Sequence, residues 1–133
     1  MSNSTNSITP LMGRILLSVI FLTSALFKIT FYSHMVAYAT AKGVPMAGVG
    51  VAVAGVIEVL GGLAILAGFQ ARIVGWLLFL YLIPTTLFFH NFWGVAAAEQ
   101  QNTMIHFLKN LGIMGGLLLL AANGAGAYSV DAS

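Results

Sequence analysis

A long apolar stretch that carries a single acid constrains the fold of this chain more than any other feature. Residues 47–69 are almost wholly apolar, and Glu58 is the only fully charged residue between Lys42 and Arg72. A helix of this length, at about 1.5 Å per residue, crosses a hydrocarbon core of roughly 30 Å. Glu58 then lies near the middle of a membrane, where an ionised side chain is costly unless it faces protein and finds a partner.

Small residues beside Glu58 indicate that its face of the helix packs against protein. Gly55 precedes Glu58 by three positions, and Gly62 follows it by four, so the three share a helical face. Small residues allow a neighbouring helix to approach closely within a membrane. Gly112 and Gly116 form a similar pair later in the chain. These glycines predict packing faces within a bundle, with a dimer interface as the alternative.

The composition excludes a soluble domain and several classes of chemistry. Of the 133 residues, 59% are hydrophobic and 6% are charged, which leaves too few polar residues to cover a water-exposed surface. The net charge of +2 is too small and too scattered for a nucleic-acid partner. The absence of cysteine excludes disulfides, thiolate ligands and iron–sulfur clusters in this subunit. No dense cluster of histidine and carboxylate residues predicts a metal site.

The hydrophobic pattern predicts an all-α fold, namely one integral membrane four-helix bundle with a short interfacial helix between helices one and two. The predicted spans within the domain at residues 10–122 are about residues 11–31, 46–68, 72–90 and 104–121. Residues 1–9 are expected to form a disordered or surface tail, and Pro10 is expected to open the first span. Residues 123–133 are expected to form a polar, frayed C-terminal tail.

Four spans place both termini on the same side of the membrane. Arg14 and Arg72 flank that side, whereas the lysines lie at or near the other. The rule that positive charges stay inside separates the two sides only weakly here. We therefore expect the termini to be cytoplasmic on the basis of the two arginines alone.

Polar residues from several helices converge toward the end opposite the termini and predict a polar funnel. They are Lys28, His90, Asn91, His106, Lys109 and Asn110. Glu58 lies about 18 Å deeper along its own helix. A buried membrane charge is normally paired, and Lys28 and Lys109 are the expected cations from the funnel side. Arg14 either pairs with Glu58 from below or extends to the membrane interface.

The funnel has a functional and a structural interpretation. In the first, it binds the polar head of a quinone or another small amphiphile, whose carbonyls accept hydrogen bonds from lysine, asparagine and histidine. In the second, the buried ion pair only determines which helices meet, and in which register. Haem ligation by His90 and His106 facing one another is a further alternative, which the sequence spacing does not support. His34, on the interfacial helix, is expected to be solvated.

Several short motifs occur in order along the chain. They are Gly13-Arg14, Phe27-Lys28, Lys42-Gly43-Val44-Pro45, Glu58-Val59-Leu60-Gly61-Gly62, Phe89-His90-Asn91-Phe92-Trp93 and Phe107-Leu108-Lys109-Asn110-Leu111. Together they cover about residues 11–131, and the ordered set resembles the DoxX family. By position, the resemblance points to Arg14, Lys28, Glu58, His90, Lys109 and Asn110 as the residues to weigh.

The resemblance implies a four-helix inner-membrane protein associated with membrane oxidoreductase systems. Family members include a subunit of a thiosulfate:quinone oxidoreductase, and distant animal relatives act as receptor-assembly chaperones. The leading hypothesis is an accessory, non-catalytic subunit of such a redox complex that contacts a quinone. A scaffold or assembly factor without a ligand is the alternative, and a small proton-coupled transporter is the third. Besides the lipid bilayer, the expected partners are other membrane subunits or further copies of the chain.

Overall fold

The computed structural model describes residues 4–132, with side chains from residue 8 onward. All regular structure in this range is helical. The elements are α1 (Ser4–Thr30), α2 (Tyr32–Ala41), α3 (Ala47–Ala67), α4 (Ala71–Phe89), a 3₁₀ turn (Phe92–Gly94), α5 (Ala97–Asn123) and a second 3₁₀ turn (Val130–Ala132). Stretches in α1 and α3, from α4 into the first 3₁₀ turn, and in α5 are long and apolar enough to cross a membrane. The predicted all-α fold with four spans and a short helix after the first is confirmed.

The bundle consists of two closely packed helix pairs. α1 packs along α3 and α4 along α5, and a smaller contact between α3 and α4 joins the pairs. Glycine makes these approaches possible, because a Cβ at Gly62 would lie 2.7 Å from Leu22 of α1. A Cβ at Gly75 of α4 would lie 2.9 Å from the carbonyl oxygen of Leu117 in α5. α1 and α5 approach each other at few points, which leaves a gap between them.

The apolar core lies where the helix pairs meet. Its buried members include Phe21 of α1, Ile65 of α3, Leu78 and Leu82 of α4, and Leu117 of α5. Most other large apolar side chains of the spans are exposed. Such an outward apolar surface is expected of a bundle whose surroundings are lipid. Gly112, predicted to pack within the bundle, instead borders open space.

The turn after α3 is fixed by Gly68 and by a buried arginine. Gly68 adopts a left-handed conformation with φ of 70° and ends the helix, which only glycine does without penalty. Arg14 is 2% exposed and donates to the carbonyls of Ile65 (3.1 Å) and Leu66 (2.8 Å). It therefore supplies a donor to the carbonyl of Leu66 and a second donor to that of Ile65, which also accepts from the Gly68 N–H.

The C-terminal segment closes the same end of the bundle. Arg14 also donates to the carbonyls of Ala125, at 2.9 Å, and Tyr128. The Asp131 carboxylate accepts from the backbone N–H groups of Gln70 (2.7 Å) and Ala71 (2.8 Å), at the start of α4. A carboxylate is favoured there by the unpaired N–H groups and by the helix dipole. The prediction of a frayed tail is wrong, because these contacts hold the segment on the bundle.

Two helix boundaries also differ from prediction. α1 begins at Ser4, so Pro10 lies inside the helix rather than at its start. Residues 1–3 of the predicted N-terminal tail lie outside the described residues. α5 begins at Ala97 instead of near residue 104. The sequence from Ala97 to Gln101 consists of good helix formers, and Glu99 in the first turn favours a helix N-terminus.

Candidate binding cavity

An internal cavity of about 520 Å³ opens toward the end opposite the termini. All five α-helices contribute to its wall, which is mostly apolar. Its polar and ionisable lining residues are Ser24, Lys28, Tyr38, Glu58, Tyr81, Thr85, His90 and Asn110. A mostly apolar wall with a few placed polar groups is typical of small-molecule sites.

Glu58 is the centre of the polar wall. The residue is 4% exposed, and its Oε2 accepts hydrogen bonds from the Tyr81 hydroxyl at 2.8 Å and the Ser24 hydroxyl at 3.2 Å. Lys28 Nζ lies 3.3 Å from Oε2 and 3.0 Å from Oε1. The contact to Oε1 is an ion pair with poor hydrogen-bond geometry. Because donors converge on the carboxylate, its charge is compensated inside the bundle.

Lys28 links the carboxylate to its own helix. Its Nζ also lies 2.9 Å from the Ser24 hydroxyl oxygen, one turn earlier in α1. The lysine is half-buried and borders the cavity, so its ammonium is both paired and close to open space. The predicted pairing of Glu58 with a basic residue of another helix is confirmed for Lys28.

Tyr81 was missed by the sequence prediction although it is the nearest donor to Glu58. It stands between Leu80 and Leu82 in the middle of α4, far from the interfacial positions that tyrosine prefers in membrane helices. A phenol at that depth needs a hydrogen-bond partner. That depth, together with a carboxylate at similar depth on α3, was the signal that could have identified it.

The part of the cavity farthest from the termini is formed by α4, α5 and α2. The Asn110 amide donates to the Thr86 hydroxyl at 3.0 Å, which joins α5 to α4. The Tyr38 ring of α2 stacks on Phe89 with centroids 5.6 Å apart. α2 thus covers the opening with an aromatic contact.

His90 and His106, which the sequence offered as facing haem ligands only as an unfavoured alternative, stack on one another at the rim. Their ring centroids are 5.5 Å apart and the planes differ by 24°. Two axial haem ligands direct ring nitrogens at a common iron, which stacked rings in contact do not do. His90 lines the cavity, whereas His106 and Asn91 do not. His34 on α2 is exposed, as expected.

Two predicted members of the polar cluster lie elsewhere. Arg14 does not pair with Glu58 and does not extend to the interface, because its donors are held by backbone carbonyls at the other end. Lys109 is exposed and lies on the outer groove between α1 and α5 rather than on the cavity. One residue along a helix turns a side chain by about 100°, so Asn110 faces inward while its neighbour faces outward.

The site can bind and orient a polar group, and it can hold a proton. Serine, tyrosine and lysine supply donors around one carboxylate, and histidine and asparagine supply further polar atoms toward the rim. Within residues 4–132, no group of three or more histidine and acidic side chains is arranged to hold a metal ion. The arrangement therefore favours recognition of a small polar head by hydrogen bonds.

Four membrane-spanning helices around a buried ion pair and an internal cavity define a small polytopic membrane protein. The chain belongs to the DoxX family, whose family model matches residues 9–91. It is an integral inner-membrane protein, as are its bacterial relatives.

Two of these relatives are Escherichia coli proteins of similar length. The chain is 42% identical to inner membrane protein YqjF over 122 residues, which is 91% of this chain and 88% of YqjF. It is 33% identical to inner membrane protein YphA over 121 residues, or 91% of this chain and 86% of YphA. The ER-derived vesicles protein ERV29 of Saccharomyces cerevisiae is 30% identical over 76 residues, which is 57% of this chain and 24% of ERV29. No solved structure matches the chain.

Proposed function

We propose that the protein is an accessory subunit of a membrane oxidoreductase complex and that its cavity receives the head of a quinone or a similar small amphiphile. The observation that carries the proposal is the compensated Lys28–Glu58 pair on the wall of a cavity of about 520 Å³. That volume lies within the range of small-molecule sites, roughly 300–1,000 Å³. The link to a redox complex rests on the family resemblance.

A neutral ring with carbonyl acceptors suits the chemistry of this wall. The Lys28 ammonium carries three N–H donors, and the Asn110 amide supplies a further donor on the wall, whereas the Ser24 and Tyr81 hydroxyls already donate to Glu58. The carboxylate is already neutralised by Lys28. A second fixed charge in the ligand would have to be desolvated without a free counter-ion on the wall. The apolar remainder of the cavity accommodates the face of the ring.

Binding of a ring without a tail tests the proposed head site. The probe is dimethoxy-methyl-benzoquinone, titrated by calorimetry into protein reconstituted in lipid nanodiscs. Tyr81→Phe keeps the ring of the side chain but removes the hydroxyl at Glu58, and we expect about tenfold weaker binding. The matched control is Tyr128→Phe, which removes an exposed phenol away from the cavity and should leave binding unchanged. Equal affinity in all three proteins contradicts the proposed site.

Purification from native membranes tests the association with a redox complex. The protein is isolated with its partners in mild detergent, bound quinone is quantified by mass spectrometry, and the co-purifying subunits are identified. We expect quinone and redox subunits with the wild-type chain and a reduced quinone content with Tyr81→Phe. Recovery of the chain with neither quinone nor redox subunits contradicts the proposal and favours the scaffold alternative.

The scaffold alternative is favoured by one observation, the bare helix face at Gly112 and Gly115 on α5, where an added Cβ meets nothing within 4 Å. Such a face allows close approach of a partner helix. Under this alternative, deletion of the chain lowers the abundance of a partner protein, while benzoquinone does not bind.

A further inference from the structure

A second cavity lies on the outside of the bundle, in the gap between α1 and α5. It is a groove of about 720 Å³ with an almost wholly apolar wall. Leu16 and Leu17 of α1 face Gly112, Gly116 and Leu119 of α5 across it. From Lys109 to Leu120 the groove follows α5 for roughly 16 Å at the helical rise.

The groove and the internal cavity share part of their walls. Ile20 of α1 and Ile113 of α5 line both of them, so these two side chains stand between the interior of the bundle and its outer surface. α1 and α5 approach each other at few points. Aliphatic side chains change rotamer on a timescale of picoseconds to nanoseconds when they are exposed. The internal cavity and the groove are therefore separated at this point only by side chains.

The polar groups at the ends of the groove define what it can hold. Arg14, at one end, donates four of its five N–H groups to backbone carbonyls, which hold the guanidinium at the end of α3. Lys109, at the other end, is exposed. Between them the wall offers apolar surface, which favours an aliphatic occupant.

We infer that the ligand of the internal cavity carries a single aliphatic tail, which passes between Ile20 and Ile113 and lies in the groove between α1 and α5. This inference rests on the proposed function and deepens it, because it defines the ligand as a long-tailed amphiphile. A flexible chain can follow a path from the cavity into the groove. A partner helix, with a diameter of about 10 Å, can cover the groove but is too wide to pass between Ile20 and Ile113.

Probes with and without a tail test the inference in lipid nanodiscs. The ring probe dimethoxy-methyl-benzoquinone is compared with decylubiquinone, which has the same ring and an aliphatic tail. Gly112→Leu fills the groove, and the Cβ site borders open space, so the fold accepts the side chain. Gly115→Leu is the matched control, because Gly115 also borders open space but does not line the groove.

We expect Gly112→Leu to weaken binding of the tailed probe about tenfold, the loss expected when a side chain occupies an apolar subsite, and to leave binding of the ring probe unchanged. Gly115→Leu should change neither affinity. If Gly112→Leu binds the tailed probe as well as the wild type does, the tail does not occupy the groove, while ring binding still supports the proposed function. If neither probe binds to the wild type, the proposed function itself fails, and the inference with it.

A cysteine variant distinguishes the tail from a second copy of the chain. The sequence contains no cysteine, so Gly112→Cys introduces a unique thiol. Rapid disulfide formation between two copies in native membranes would show that another chain covers the groove and would overturn the inference. Persistence of the monomer, together with protection of the thiol from maleimide by decylubiquinone but not by the ring probe, supports it.

Discussion

Two regions of this bundle hold charge in different ways. At the end that carries the termini, the buried Arg14 and the exposed Asp131 are bound to backbone groups at helix ends. In the interior, the Lys28–Glu58 pair is compensated by side chains and borders a cavity. The comparison teaches that a charge in a membrane protein marks a candidate site where side chains compensate it beside a cavity, rather than where backbone groups at helix ends bind it. Three variants test this distinction.

The largest effect is expected from Arg14→Ala. The substitution removes the Arg14 donor from the carbonyls of Leu66 and Ala125 and one of two donors from that of Ile65, and we expect the free energy of unfolding to fall by about 4 kcal/mol. Titration with SDS in mixed micelles measures the loss. Arg72→Ala is the control, because Arg72 is exposed and contacts carbonyls only at the end of α5, so it should lose about 1 kcal/mol.

Binding of the ring probe to Arg14→Ala tests whether the Arg14 region and the internal cavity are independent. The protein that remains folded should bind the tail-less ring probe with wild-type affinity, because Arg14 lies away from the internal cavity. A large loss of ring binding in folded Arg14→Ala protein would show that the Arg14 region and the internal cavity are coupled and would contradict the distinction.

An intermediate effect is expected from Glu58→Gln. The variant leaves the Lys28 ammonium inside the bundle without its carboxylate, at a cost of about 3 kcal/mol in the same titration. The double variant Glu58→Gln with Lys28→Met removes both charges and should recover more than half of that loss. If the double variant is as stable as wild type but does not bind the ring probe, the pair serves the cavity. If it also binds like wild type, the pair is not part of the binding site.

The smallest effect is expected from Asp131→Asn. The amide keeps the shape of the side chain but loses the charge that faces the first N–H groups of α4. We expect a loss of about 1 kcal/mol, which shrinks as salt is added. Glu99→Gln, in the first turn of α5, is the control and should lose less, because no hydrogen bond to a backbone N–H is given up. Equal losses in the two variants would show that Asp131 contributes no specific cap.

The sequence alone was sufficient for the spans and for the expectation that Glu58 pairs with a basic residue, but it left Lys28, Lys109 and Arg14 open as that partner. Long apolar runs determine membrane helices through length and hydropathy, and a lone acid among glycines has to face protein and find a cation. Lys28 was the right partner because it lies toward the same end of the bundle on a neighbouring helix.

The sequence did not predict which charged side chains bind backbone groups. Arg14 contacts carbonyls up to 114 residues away, and a carbonyl leaves no mark in a sequence because every residue has one. Lys109 and Asn110 are neighbours that face opposite sides of α5, and their assignment depends on the rotation of that helix. Tyr81 has no charge and so was not recognised as part of a charged network.

The hydrogen bonds between Arg14 and the C-terminal segment have a consequence for biogenesis. α1 is synthesised before the other helices. The Arg14 guanidinium of α1 has no contact with the carbonyl of Ala125 until that residue is made, 111 residues later. These contacts can therefore form only after all four spans have been synthesised. An insertion close to Asp131 is expected to interfere with the docking of this segment.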